Sequence, residues 1–126
     1  MKTHPRILIA DDEPNIVISL EFVLGREGFV VAAARDGDEA LRQAASFRPD
    51  VLLLDVMMPK KSGYEVCEAL RADPAMAGLV IIMLTAKGRD AEVARGLAIG
   101  ADAYITKPFS NKDLVARIQA LLEQRS

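Results

Sequence analysis

Little in this chain could tie it down covalently or carry it to another compartment. One cysteine, Cys67, stands among 126 residues, so no internal disulfide can form. No apolar stretch approaches the ~20 residues that cross a bilayer. Sixteen Lys and Arg against eighteen Asp and Glu leave a net charge of −2 with the signs interspersed. That balance favours neither nucleic acid nor a membrane surface. The single histidine, His4, lies beside Pro5 in the N-terminal tail, where it reads as solvated. One imidazole cannot build a metal site, and a phosphorelay histidine would need a helical setting. There is no internal repeat, low-complexity run or linker, and Met1 to Pro5 is too short and polar for a secretory signal. One cytoplasmic domain over residues 1–126 is expected, and at this length it removes roughly two-thirds of the unfolded surface from water without staples.

What the chain does have is five short apolar runs, four of which end in a reactive side chain. Arg6-Ile7-Leu8-Ile9-Ala10 leads into Asp11-Asp12, and Val51-Leu52-Leu53-Leu54 into Asp55. Val80-Ile81-Ile82-Met83-Leu84 leads into Thr85, and Ala103-Tyr104-Ile105-Thr106 into Lys107. Only Val30 to Ala34 leads to nothing reactive. Runs of this kind, bounded by turn residues, suit strands buried on both faces of a parallel sheet.

Between them lie helical stripes: Ile16, Leu20, Val23 and Leu24; Leu41, Ala44 and Ala45; Val66, Cys67 and Leu70; Leu114, Ile118, Leu121 and Leu122. Cys67, on such a stripe, reads as a buried small hydrophobe. Pro14 suits a first helical position, and Ser110 with Asp113 reads as a variant capping box. Gly28, Gly78 and Gly100 punctuate the helix-to-strand joints, where a residue without a side chain can adopt positive φ. The alternation predicts a doubly wound α/β domain of the flavodoxin-like kind, with a five-stranded parallel sheet of order 2-1-3-4-5 and five flanking helices. Ligands in such a fold bind beyond the carboxyl ends of the strands, at the switch point between the first and third. Asp11, Asp12 and Asp55 converge there, with Thr85 and Lys107 on the adjoining ends.

Three packed carboxylates repel one another, so the cluster calls for a hard divalent cation; Mg²⁺ fits best because it accepts few protein ligands and keeps its waters. A carboxylate beside that cation can act as a nucleophile toward phosphorus and form an aspartyl-phosphate. Mg²⁺ and Lys107 would neutralise the equatorial oxygens, and the Thr85 hydroxyl would donate to one of them.

At this point the residues resemble a family: the receiver domain of two-component response regulators. The resemblance runs through Ile7 to Glu13, Leu54-Asp55-Val56-Met57-Met58-Pro59, Leu84-Thr85-Ala86 and Gly100 to Phe109. It implies that Asp55 accepts a phosphoryl group from a histidine kinase or phosphotransfer protein, and that Asp11 and Asp12 hold Mg²⁺, Asp12 the more directly. It also implies that Met57 gives the metal its backbone carbonyl, that Ala86 leaves room, and that Tyr104 is an aromatic switch moving with Thr85. A cis Lys107–Pro108 bond is implied as well. So is a homodimer through the face of the fourth helix, fifth strand and fifth helix, although Ala103 stands where the transcription-factor branch commonly has a second Asp. Residues two beyond Asp55 and Thr85, here Met57 and Lys87, flank the path of hydrolytic water in the family; Met57 should obstruct it and Lys87 should hold a phosphoryl oxygen, giving slow dephosphorylation.

Two rival classes fit less well. A haloacid-dehalogenase-type phosphatase wants a second Asp two positions after the nucleophile, where this chain has Met57. A flavin carrier of the same fold would need a phosphate-cradling first loop, which Asp11-Asp12-Glu13 would repel. The domain as an excerpt from a longer regulator, with a DNA-binding or enzymatic output, stays open. Lys60-Lys61 reads as a solvated loop. On the first helix, Asn15, Ile18 and Phe22 fall opposite the core stripe, which makes them the expected kinase-docking surface.

Overall fold

The computed structural model describes residues 4–86 and 99–125. Its elements are β1 (Arg6–Ala10), α1 (Pro14–Arg26), β2 (Val30–Ala34), α2 (Gly37–Phe47), β3 (Val51–Asp55), α3 (Gly63–Arg71), a 3₁₀ turn (Pro74–Met76), β4 (Val80–Ala86), β5 (Ala103–Lys107) and α4 (Asn111–Arg125). The strands form one parallel sheet of order β2-β1-β3-β4-β5. Four α-helices stand among the described residues where five are expected. Residues 87–98, between β4 and β5, lie outside them, and with them Lys87 and part of the expected dimer face.

Strict alternation along the strands divides the core in two. Leu8, Leu52, Leu54, Ile81 and Met83 face α2 and α3, where Ala40, Ala44, Val66, Cys67 and Leu70 meet them. Ile7, Ile9, Leu53, Ile82 and Leu84 face α1 and α4, against Leu20, Leu24, Leu114 and Ile118. A parallel sheet covered on both faces explains why the central strands read as unbroken apolar runs. The edge strand β2 is only half-buried, with Val30 exposed. Having a neighbour on one side only, it is less enclosed than a run buried on both faces should be.

The helix signals hold with three adjustments. Pro14 opens α1, and Ser110 Oγ accepts from the Asp113 N–H at 3.3 Å. Ala45 is exposed; α2 turns Ala40 and Ala44 inward, one turn apart. Gly28 and Gly100 have positive φ, but Gly78 does not, and Arg48 and Lys60 do. Ser62 and Glu65 close α3 in a reciprocal capping box.

Candidate metal centre at the strand ends

Four strands deliver the polar residues to one rim. Asp11 follows β1 directly, while Asp55 and Lys107 are the last residues of β3 and β5, and Thr85 the penultimate residue of β4. Because β1 and β3 are paired neighbours, their carboxyl ends bring the acidic pair beside Asp55. Carboxylate oxygens of Asp11, Asp12 and Asp55 lie within 4.8 Å of one another. Asp11 is fully buried, Asp55 is 5% exposed, and Asp12 opens to solvent.

One cation serves this cluster among the described residues. Lys107 Nζ lies 2.9 Å from Asp11 Oδ2, 2.9 Å from Glu13 Oε1 and 3.5 Å from Asp55 Oδ2. The approach to Asp11 Oδ2 is an ion pair without directed hydrogen-bond geometry, so this sealed oxygen has no donor among the described residues. The remaining oxygens are oriented locally: Asp11 Oδ1 accepts from the Glu13 N–H at 2.9 Å, and Asp55 Oδ1 from the Met57 N–H at 3.1 Å.

The electrostatics follow from this shortage of positive charge. Burial first, and the Asp11 carboxylate second, push the Asp55 pKa up to about 7 against the pull of Lys107 and the Met57 amide. For Lys107, burial alone would lower the pKa, but the hydrogen bond to Glu13 and the close carboxylates of Asp11 and Asp55 outweigh it and raise it. A buried carboxylate oxygen lacking a donor, beside two further carboxylates, matches the all-oxygen donor set of a hard divalent cation. The cluster can hold a metal ion.

The structure brings Asp11, Asp12, Asp55 and Lys107 together as expected. Thr85 is buried on β4, one position beyond the residue paired with Asp55, and Ala86 beside it is exposed. Tyr104 is half-buried against the core layer that includes Met83. The Met57 side chain is 61% exposed at the mouth. The Lys107–Pro108 bond is cis. Asn15, Ile18 and Phe22 all face solvent on α1. Cys67 is buried, and burial raises its thiol pKa. His4 is exposed, with Nδ1 3.2 Å from the Gly28 carbonyl oxygen.

Two features were not foreseen. Glu13 flanks the N-terminus of α1 without capping it and turns its carboxylate to Lys107 instead; the unbroken run Asp11-Asp12-Glu13 was the available signal. The Lys60 and Lys61 side chains reach solvent as expected, and in addition lie 3.8 and 4.0 Å from Asp36 and Asp38 at the start of α2.

A family model for the response regulator receiver domain matches residues 7–119. The chain belongs to the response regulator receiver domain family. The receiver domain is 46% identical over 121 residues to the alkaline phosphatase synthesis transcriptional regulatory protein PhoP of Bacillus subtilis, covering 96% of this chain and 50% of that protein. It is 47% identical over 119 residues to the DNA-binding response regulator MtrA of Mycolicibacterium smegmatis, covering 94% and 51%. The chain thus spans about half the length of these curated relatives. Among solved structures, chemotaxis response regulator CheY4 of Vibrio cholerae superposes with a TM-score of 0.89 at 33% identity, covering 94% of this chain and 99% of that one. A CheY-like receiver domain protein from Methanospirillum hungatei gives 0.91 at 31%, covering 98% and 97%. This is a signalling domain of two-component systems. No helix among the described residues is long and apolar enough to cross a membrane.

Proposed function

We propose that Asp55 is the phosphoacceptor of this receiver domain and that Asp11, Asp12, Asp55 and the Met57 carbonyl hold Mg²⁺. The observation that carries the reading is a buried carboxylate at the switch point with a single lysine shared among its neighbours. Bound there, Mg²⁺ would supply the charge that offsets the carboxylates and the phosphoryl oxygens.

The chain's own residues then divide the work. An Asp55 carboxylate oxygen attacks phosphorus, the bond from phosphorus to the donor's imidazole nitrogen breaks, and its electron pair leaves with the imidazole. Lys107 neutralises a phosphoryl oxygen, and Thr85, moving toward the group, donates to another while Tyr104 follows it inward. The domain catalyses only its own phosphorylation and slow dephosphorylation, in the cytoplasm. Met57 and Lys87 are the gate residues.

The phosphodonor docks on α1. Ile18 and Phe22, one turn apart, are each 64% exposed, although Arg26 lies 5.6 Å from the Phe22 ring. A groove of about 460 Å³, lined by Asn15, Ile16, Leu20, Lys107 and Phe109, lies on the Asn15 side of the same helix and reaches Glu13 at the acidic rim. Such a surface suits a helix carrying a phosphohistidine. A transcriptional output is in keeping with relatives named as transcriptional and DNA-binding regulators. A homodimer through the β5 and α4 face is part of the same proposal.

The direct test is phosphorylation with Mg²⁺ and a small acyl-phosphate donor. The wild type should take up one phosphoryl group and Asp55→Ala none; stoichiometric uptake by Asp55→Ala would end the assignment. Changing Ile18 and Phe22 to Ala should slow transfer from a histidine kinase while leaving the small-donor reaction intact, and equal slowing of both would remove α1 from the docking site.

A further inference from the structure

The loop between β3 and α3, residues 56–62, includes Met57, whose N–H donates to Asp55 Oδ1 at 3.1 Å. Its end nearest α3 is fixed by Gly63. A Cβ there would collide with the Asp55 carbonyl oxygen and sit 2.9 Å from Val56 Cα, while the Gly63 N–H donates to the Val56 carbonyl at 2.9 Å.

The crown of the loop is held from a direction that offers no reactive group, the end of β2. Gly37, the first residue of α2, donates its N–H to the Pro59 carbonyl at 3.3 Å, and the Lys61 N–H donates to the same oxygen at 2.9 Å. A Cβ on Gly37 would overlap the Lys61 Cβ and carbonyl oxygen and lie 2.9 Å from its carbonyl carbon. Asp36 and Asp38, on either side of Gly37, pair with Lys60 and Lys61. Gly37 does not have positive φ, so the position requires glycine for space and not for conformational freedom. Lys60, at φ 71°, bears the unfavourable conformation instead.

We infer that Gly37 is a positioning residue for the metal centre: by letting the backbone of residues 59–61 rest on the first turn of α2, it sets where the Met57 carbonyl stands relative to Asp55. The inference rests on the proposed role of that carbonyl as a ligand. Its logic is that of outer-shell contacts, which fix a ligand's placement without touching the ion.

Gly37→Ala should weaken Mg²⁺ binding roughly tenfold or more, the size typical of lost outer-shell support, as read from thermal-melt titrations with Mg²⁺. In EDTA the same variant should shift the Met57 backbone amide resonance, a readout that needs no metal. Gly25→Ala is the control and the safeguard: a Cβ there meets nothing within 4 Å, it lies inside α1 and should stabilise the fold without touching the loop. The Gly25→Ala/Gly37→Ala double variant should keep the weakened Mg²⁺ affinity. Mg²⁺ affinity in Gly37→Ala within about twofold of wild type, a difference too small for a displaced ligand, overturns the inference, as does a Met57 amide resonance that Gly37→Ala leaves unshifted in EDTA. A wild type that does not respond to Mg²⁺ would instead overturn the metal reading beneath it.

Discussion

Both rims of the sheet carry aspartates, but the two ends treat them oppositely. At the amino ends, Asp50 precedes β3 and Asp102 precedes β5. Asp50 Oδ2 accepts from the Arg6 N–H at 2.8 Å, and Asp102 Oδ2 accepts from the Ile81 N–H and from Arg71 Nη2, both at 2.7 Å. Arg71 goes on to donate to the carbonyls of Gly100 and Leu79, tying α3 to both edges of the gap between β4 and β5. At the carboxyl ends, Asp11, Asp12 and Asp55 share one lysine, and the pKa of Asp55 rises to about 7. A carboxylate given its own donors is structural. A carboxylate packed among others and left short of donors is poised for a ligand that brings charge.

The largest expected effect sharpens that contrast through pH. Asp55 has a folded-state pKa of about 7 against an ordinary 3.8, so between those values the folded protein holds a proton that the unfolded chain has released. Stability of the metal-free protein should therefore fall as pH rises from about 4 to about 7 and level off above. Asp55→Asn should flatten this slope, whereas neutralising Asp102 should leave it in place; urea unfolding in EDTA across that range measures both.

Breaking the amino end should cost stability and nothing else. Arg71→Ala removes donors from two carbonyls and from Asp102, at about 2–3 kcal/mol. The Mg²⁺ response of the folded protein should be unchanged, since the network lies at the opposite rim. A smaller effect belongs to the mouth of the carboxyl end, where Met57 is exposed. Met57→Asn replaces an apolar obstruction with an amide able to orient water, so loss of phosphate after donor removal should accelerate about tenfold, equivalent to ~1.4 kcal/mol of barrier. Decay at the wild-type rate or slower would show that Met57 is not the gate.

How much of this was legible beforehand depended on the range of the interaction that decides each feature. Strand order and the convergence of Asp11, Asp12, Asp55 and Lys107 were readable because apolar runs ending in polar residues, wound in one hand, leave few arrangements. The capping box at Ser62 and Glu65 was equally local and could have been read. Gly37 could not. Its requirement for a missing Cβ comes from Lys61, which is remote in sequence and close only in the fold. The same holds for Lys60 and Lys61, whose partners are set by the packing of α2 against the β3–α3 loop, and for Ala45, where a one-residue rotation of a short helix exchanges a buried alanine for an exposed one. Gly78 does not use the freedom that Gly28 and Gly100 use, because the 3₁₀ turn at Pro74–Met76 brings the chain to β4 by another route.

The claim that the carboxyl-end aspartates are held in mutual repulsion until a cation arrives is tested most directly by thermal melts of wild type and Asp12→Ala across a Mg²⁺ titration. Binding to the folded state alone should raise the wild-type melting temperature steadily with Mg²⁺. Asp12→Ala should start higher in EDTA, having lost one of three like charges, and should not rise. An Asp12→Ala protein that is less stable than wild type without metal, or that responds to Mg²⁺ as the wild type does, would contradict the account.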